Sequence, residues 1–108
     1  MRVLFDHGAP VGIARSLIGH DVTISIDRGW DKISNAELLA NAEAEGFDVL
    51  LATDKNIRYQ ENLKGRRNAI IVLSNPAWRD VRKYLERVTS AVNEAVPGGY
   101  VEVEIPLK

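Results

Sequence analysis

Apolar positions along this chain fall into two patterns. Val3-Leu4-Phe5, Val49-Leu50-Leu51-Ala52 and Ala69–Leu73 are short runs with no polar break. Runs of that length and composition suit strands buried on both faces of a sheet. Val22-Thr23-Ile24-Ser25-Ile26 and Tyr100–Ile105 alternate instead, so each reads as a strand with one wet face. Stretches of helical period lie between these runs. Pro10 suits the first turn of a helix whose stripe is Ile13, Ala14, Leu17 and Ile18, with Gly19 as its stop. A loop from Asp27 through Ile33 carries Trp30. Ser34-Asn35-Ala36-Glu37 matches a capping box, and its helix runs through Leu38, Leu39 and Ala42 to Gly46. A polar turn or short helix spans Lys55 to Lys64, closed by Gly65. Pro76 opens a last helix with Val81, Leu85, Val88, Val92 and Ala95 at spacings of three and four, and Pro97-Gly98-Gly99 breaks it.

Strand and helix in strict alternation imply an α/β fold with a mainly parallel sheet and helices on both faces. The expectation is a single-domain, three-layer sandwich with about five strands. The three continuous runs take its centre and the two alternating strands its edges. Right-handed crossovers fit the order 2-1-3-4-5. In that order the chain reverses direction between the first and third strands. Ligands of open α/β sheets bind in the crevice at such a switch point, beyond the strand C-terminal ends. Asp6 and Asp54 end those two strands.

Composition narrows the class. The 108 residues are 45% hydrophobic and 27% charged, ordinary values for one globular domain spanning 1–108. There is no cysteine, which excludes disulfides, zinc–thiolate sites and thiol nucleophiles. No apolar run reaches the roughly 18–20 residues of a membrane span, and the run near Met1 is too short for a signal peptide. A soluble, cytoplasmic protein is the expectation. The net charge of −1 conceals a division by segment. Residues 1–54 hold four basic against nine acidic residues, a net of −5, and residues 55–87 hold nine basic against three acidic, a net of +6. Such a division suits either an anionic partner meeting a carboxylate-bearing site or plain solvated helix faces.

Two carboxylates on neighbouring strand tips are close enough to share a hard cation. Mg²⁺ and Mn²⁺ take oxygen ligands, and a metal so held can activate water against a phosphodiester. Glu37, in the first turn of the second helix, can face the same crevice. Asn35 and Asn56 are candidates to hydrogen-bond a ligand, a water or the carboxylates. Each residue also has a plainer role. Asp after a strand is commonly a cap or turn former, the capping box accounts for Glu37, and the asparagines suit turns and helix starts. His7 and His20 lack a partner histidine at ligand spacing and read as solvent-facing. Trp30 and Trp78 read as packing at the core edge. Tyr59, among basic residues, is a candidate to stack on a base.

These residues together resemble the PIN-like nuclease superfamily. More closely, the chain is similar to a small bacterial PIN-like family of uncharacterised proteins associated with toxin–antitoxin loci. The carriers are Val3-Leu4-Phe5-Asp6, Gly19-His20-Asp21-Val22, Ser34-Asn35-Ala36-Glu37-Leu38-Leu39, and Ala52-Thr53-Asp54-Lys55-Asn56 running on to Leu63. They cover nearly the whole chain in order. The resemblance implies a hydrolase: an endoribonuclease dependent on Mg²⁺ or Mn²⁺, the toxin component of such a module. Asp6, Glu37 and Asp54 would be its catalytic, metal-binding acids. Lys55, Arg58, Arg66 and Arg67, with Tyr59, would hold RNA. A small antitoxin-type protein and a second copy of the chain are the implied partners. Related chains often carry acids at the positions of Asn35 and Asn56. An amide oxygen can coordinate but brings no charge, which lowers divalent affinity.

Two other readings stand beside this one. A catalytically silent PIN-like protein would bind RNA or a partner without cleavage. A phosphoacceptor receiver-like signalling domain would use Asp54, Ser74 and Lys108 after the third, fourth and fifth strands, although His7 follows Asp6 where a receiver has a second acid.

Overall fold

Five strands form in a computed structural model that describes residues 1–60 and 65–107. They are β1 (Arg2–Phe5), β2 (Asp21–Ile24), β3 (Val49–Ala52), β4 (Ala69–Leu73) and β5 (Tyr100–Val103). All four pairings are parallel and the order is β2-β1-β3-β4-β5. The continuous apolar runs are the three central strands. The helices are α1 (Asn35–Ala44), α2 (Ile57–Gln60), α3 (Trp78–Val81) and α4 (Leu85–Asn93), with 3-10 helices at Val11–Ser16, Ser25–Arg28 and Arg82–Tyr84. Glu61, Asn62, Leu63, Lys64 and Lys108 lie outside the described residues. The end of the fourth resemblance motif and the proposed receiver lysine fall there.

Register divides the strand side chains between two cores. Val3, Val49 and Ala69 lie side by side, and Leu4, Leu50 and Ile70 form the next row. Successive residues of a strand point to opposite faces, so these rows feed opposite layers. On one face Val3, Phe5, Leu51, Ile71 and Leu73 pack with Ile13 and Leu17, and with Val81, Val88 and Val92 of α3 and α4. On the other, Leu4, Leu50, Ile70 and Val72 pack with Leu38, Leu39 and Ala42 of α1 and with Ile57 of α2. The sheet is thereby covered on both faces.

This division fixes the hand of each crossover. The helix between β1 and β2 and the helices between β4 and β5 share one face. Yet the chain steps one way along the sheet from β1 to β2 and the opposite way from β4 to β5. Parallel crossovers on one face that step in opposite directions have opposite hands. The connections through α1 and α2 lie on the other face and step in the β5 direction, so they share the hand of the first. Since about 98% of such units are right-handed, the β4-to-β5 unit is the left-handed one. The sequence reading assumed right-handed crossovers throughout. That assumption gives the observed order, although right-handed crossovers throughout would set α3 and α4 on the α1 face.

Three local expectations also change. The first helix is a 3-10 helix ending at Ser16, with Pro10 as its extended N-cap. Leu17 turns the chain out of the helix, so Ile18 leaves the expected stripe and is 88% exposed. β2 stops at Ile24, because Ser25 turns inward to begin a 3-10 turn closed by Gly29 at φ +73°, and Ile26 is exposed. The last helix is interrupted at Arg82–Tyr84. No helix among the described residues is long and apolar enough to cross a membrane.

Candidate functional site

Asp6 leaves the end of β1 and is 5% exposed. Its own N–H extends the ladder to Leu51 O, at 2.9 Å. Its carboxylate is surrounded by donors. Oδ1 accepts the N–H groups of Gly8 (3.0 Å) and Ala9 (2.9 Å). Oδ2 accepts the Thr53 N–H (2.9 Å) and hydroxyl (3.1 Å). The side chain thus ties the tip of β1 to the tip of β3 and shapes the loop that leads to Pro10. Gly8 is required there, since a Cβ would stand 2.4 Å from Thr53 Oγ1.

Asp54, just past β3, is half-buried. Oδ1 accepts the Asn56 N–H at 2.9 Å, and Oδ2 accepts Asn35 Nδ2 at 3.0 Å. The first bond is an Asx turn that starts α2, and the second pins α1's first residue to the crevice. Asn35 therefore meets Asp54 through its side-chain amide, a donor where an acid would supply charge, whereas Asn56 meets it through its backbone N–H, which an acid there would supply equally. Glu37 is exposed in the first turn of α1. Its N–H donates to Ser34 Oγ at 3.1 Å, so the serine caps the helix as the sequence predicts. Lys55 and Asn56 are exposed beside Asp54.

Whether Mg²⁺ or Mn²⁺ fits here depends on free lone pairs. A carboxylate offers about four acceptor sites. Asp6 has four protein donors on them, so coordination would require it to release at least one. Asp54 has one donor on each oxygen among the described residues. No three His, Asp or Glu among the described residues are grouped to hold a metal ion. As arranged, Asp6 would have to exchange a protein donor for a divalent ion before it could serve as a ligand beside Asp54.

The basic residues of the 55–87 segment separate into different regions. Arg58 lies over β5, paired with Glu102 at 3.6 Å and set against the Tyr59 and Tyr100 rings. Tyr59 is 79% exposed. Arg66 and Arg67 precede β4, at the opposite end of the sheet from Asp54. Arg67 grips Glu43 at 2.9 Å, and that bond holds the Glu43 carboxyl below its usual range despite partial burial. These candidates therefore do not form one patch.

Other residues matter that the sequence reading passed over, as with Asp80 and Asn75, or gave a plainer role, as with Trp78 and His20. Asp80 is buried, with Oδ2 accepting Asn75 Nδ2 at 2.9 Å, while Asn75 Oδ1 accepts the Ala77 N–H and sets the entry to α3. Trp78 is 42% exposed and borders a cleft with Pro10, Val11, Gly12 and Arg15. The available signal was an aromatic interleaved with cations, Trp78-Arg79 and Arg82-Lys83, opening a helix at the C-terminal end of a central strand. His20 is not simply solvent-facing, since its Nε2 lies 2.7 Å from Asn93 Oδ1 in α4.

No family model, curated protein or solved structure matches the chain. The PIN-like resemblance therefore rests on the residues themselves.

Proposed function

We propose that this protein binds single-stranded RNA at the C-terminal end of its sheet, without depending on a divalent metal. One observation carries the reading. Among the described residues the ion pairs are Arg28–Glu45, Arg58–Glu102 and Arg67–Glu43. Lys55, Arg15 and Arg79, which all follow strand C-terminal ends or border them, pair with no carboxylate among the described residues, while the Asp6 carboxylate is closed by protein donors. Unpaired cations beside a closed acid favour holding a phosphate backbone over cutting it. The face taken by α3 and α4 argues against the receiver reading. An all-right-handed sheet of this order would carry those helices on the α1 side.

Fluorescence anisotropy with a labelled single-stranded RNA tests the proposal. Contacts to about four phosphates give a log–log salt slope of about −3. EDTA should leave the affinity unchanged, and Mn²⁺ should produce no cleavage. Cleavage that requires Mn²⁺ and is lost in Asp54→Asn would restore the nuclease implied by the resemblance. Absence of RNA binding at low salt would remove both readings.

A further inference from the structure

We infer that the cleft between Val11–Ser16 and α3 is a nucleobase subsite, with Trp78 as its stacking platform. The inference rests on the RNA reading and adds to it the place where a base is held. The cleft measures about 470 Å³ and is lined by Pro10, Val11, Gly12, Arg15 and Trp78. That is within the roughly 300–1,000 Å³ of small-ligand sites.

Three features point to a base. First, the indole is fixed from beneath. A Cβ built on Gly12 would stand 2.6 Å from Trp78 Cη2 and 2.7 Å from Cζ2, so the ring lies against bare backbone that only glycine allows. The residue nevertheless remains 42% exposed, which leaves aromatic surface for a ligand. Second, the surround is cationic. Arg15 lines the cleft, Arg79 is the exposed residue next in sequence to Trp78, and Arg82 follows Trp78 by four residues, on the neighbouring helical surface. None of the three makes an ion pair among the described residues. Asp80, the acid of α3, is buried against Asn75. Third, the cleft exists because of the left-handed β4-to-β5 crossover. A right-handed unit would carry Trp78 to the α1 face, away from Gly12. An apolar slot for one ring, rimmed by unpaired guanidinium groups, matches a base with its flanking phosphates.

The protein has two tryptophans, so Trp30→Phe leaves Trp78 as the single indole reporter. Phe at position 30 keeps an aromatic edge towards Phe47, which Trp30 meets in a T-shaped contact at 6.4 Å. In this variant, titration with a single-stranded oligonucleotide should quench the fluorescence with the midpoint found by anisotropy. An abasic oligonucleotide of equal length should not quench it. Trp78→Leu, which retains an apolar contact with Gly12, should weaken RNA binding about 5- to 150-fold, the range for loss of one stacked base. Gly12→Ala should move the indole and weaken binding without removing any cation. If the parent protein binds no RNA, the RNA reading fails. If it binds RNA but Trp78 is unquenched and Trp78→Leu binds as tightly, the subsite alone is overturned and the cleft serves another partner, such as a peptide.

Discussion

The two ends of the parallel sheet treat charge in opposite ways. At the N-terminal end, carboxylates are engaged by arginines or by strand backbone. Glu43 takes Arg67, Glu45 takes Arg28, and Asp48 accepts the Arg2 N–H at 2.8 Å while Arg2 itself lies over the Phe47 ring. At the C-terminal end, Asp6, Asp54 and Asp80 accept, among the described residues, from backbone, hydroxyl and amide groups. The cations nearby, Arg15, Lys55 and Arg79, make no ion pair among the described residues. One end neutralises itself and closes. The other holds these three acids with neutral donors, and beside it Arg58 is the cation that takes a carboxylate, that of Glu102, among the described residues. In a parallel sheet this second end is also where ligands dock. Both ends carry acids and cations, and pairing distinguishes one end from the other.

The largest effect should come from Asp6→Ala. It strands the donors of Gly8, Ala9 and Thr53 in a buried place, so a loss of about 3–5 kcal/mol is expected, read as a lower urea midpoint at unchanged m. An unchanged midpoint would mean that Asp6 does not join the strand tips. Next is Glu43→Gln, which acts on the closed end. The Glu43 carboxyl sits below its unfolded value because it accepts from Arg67. Its contribution is therefore present at neutral pH and lost as pH falls through the folded pKa. The variant should lose no more than about 1 kcal/mol at pH 7, because Arg67 is exposed, and its stability should fall less steeply in acid. A parallel acid limb in both proteins would refute the pairing.

Asp54→Asn comes third. It should leave stability nearly unchanged and tighten RNA binding at low salt, by no more than about threefold, since one negative charge leaves the phosphate path. Weaker binding would contradict a phosphate path beside Asp54. The smallest effect lies in alkali. Burial, aided by the hydrogen bond to Glu102, pushes the Tyr100 hydroxyl up to about 12. A raised folded value means stability that is intact below pH 10 and lost towards pH 12. Tyr100→Phe should flatten that loss in melting curves taken across the range.

The sheet order was legible because it follows from period and run length. Val49–Ala52 and Ala69–Leu73 have no polar position, and this alone sends them to the centre. The Asp6–Asp54 juxtaposition was legible for the same reason, since strand order determines which tips are neighbours. What surrounds Asp6 was not. That Thr53 turns both N–H and hydroxyl onto it depends on the exact exit of β3, to which hydrophobic period is blind. Ile18 was misplaced because a helical stripe assumes 3.6 residues per turn, whereas the segment winds as a 3-10 helix and then leaves. Arg66 and Arg67 fall with Lys55 by sequence proximity, although Lys55 leaves the C-terminal end of β3 and the two arginines enter the N-terminal end of the parallel β4. Trp78 was assigned to packing because sequence does not reveal the face an emerging helix will take.

That choice of face also bears on the order of folding. The units through β1, β2, β3 and β4 twist in the favoured sense and can assemble from neighbouring chain. The last unit must lay α3 and α4 back across a layer already occupied by Val11–Ser16 before β5 can reach its slot. β5 is therefore expected to be the latest piece to dock and the first to detach. Its amides should exchange with solvent through partial openings that leave the four-stranded remainder intact, in a smaller cooperative unit than that of β1 and β3.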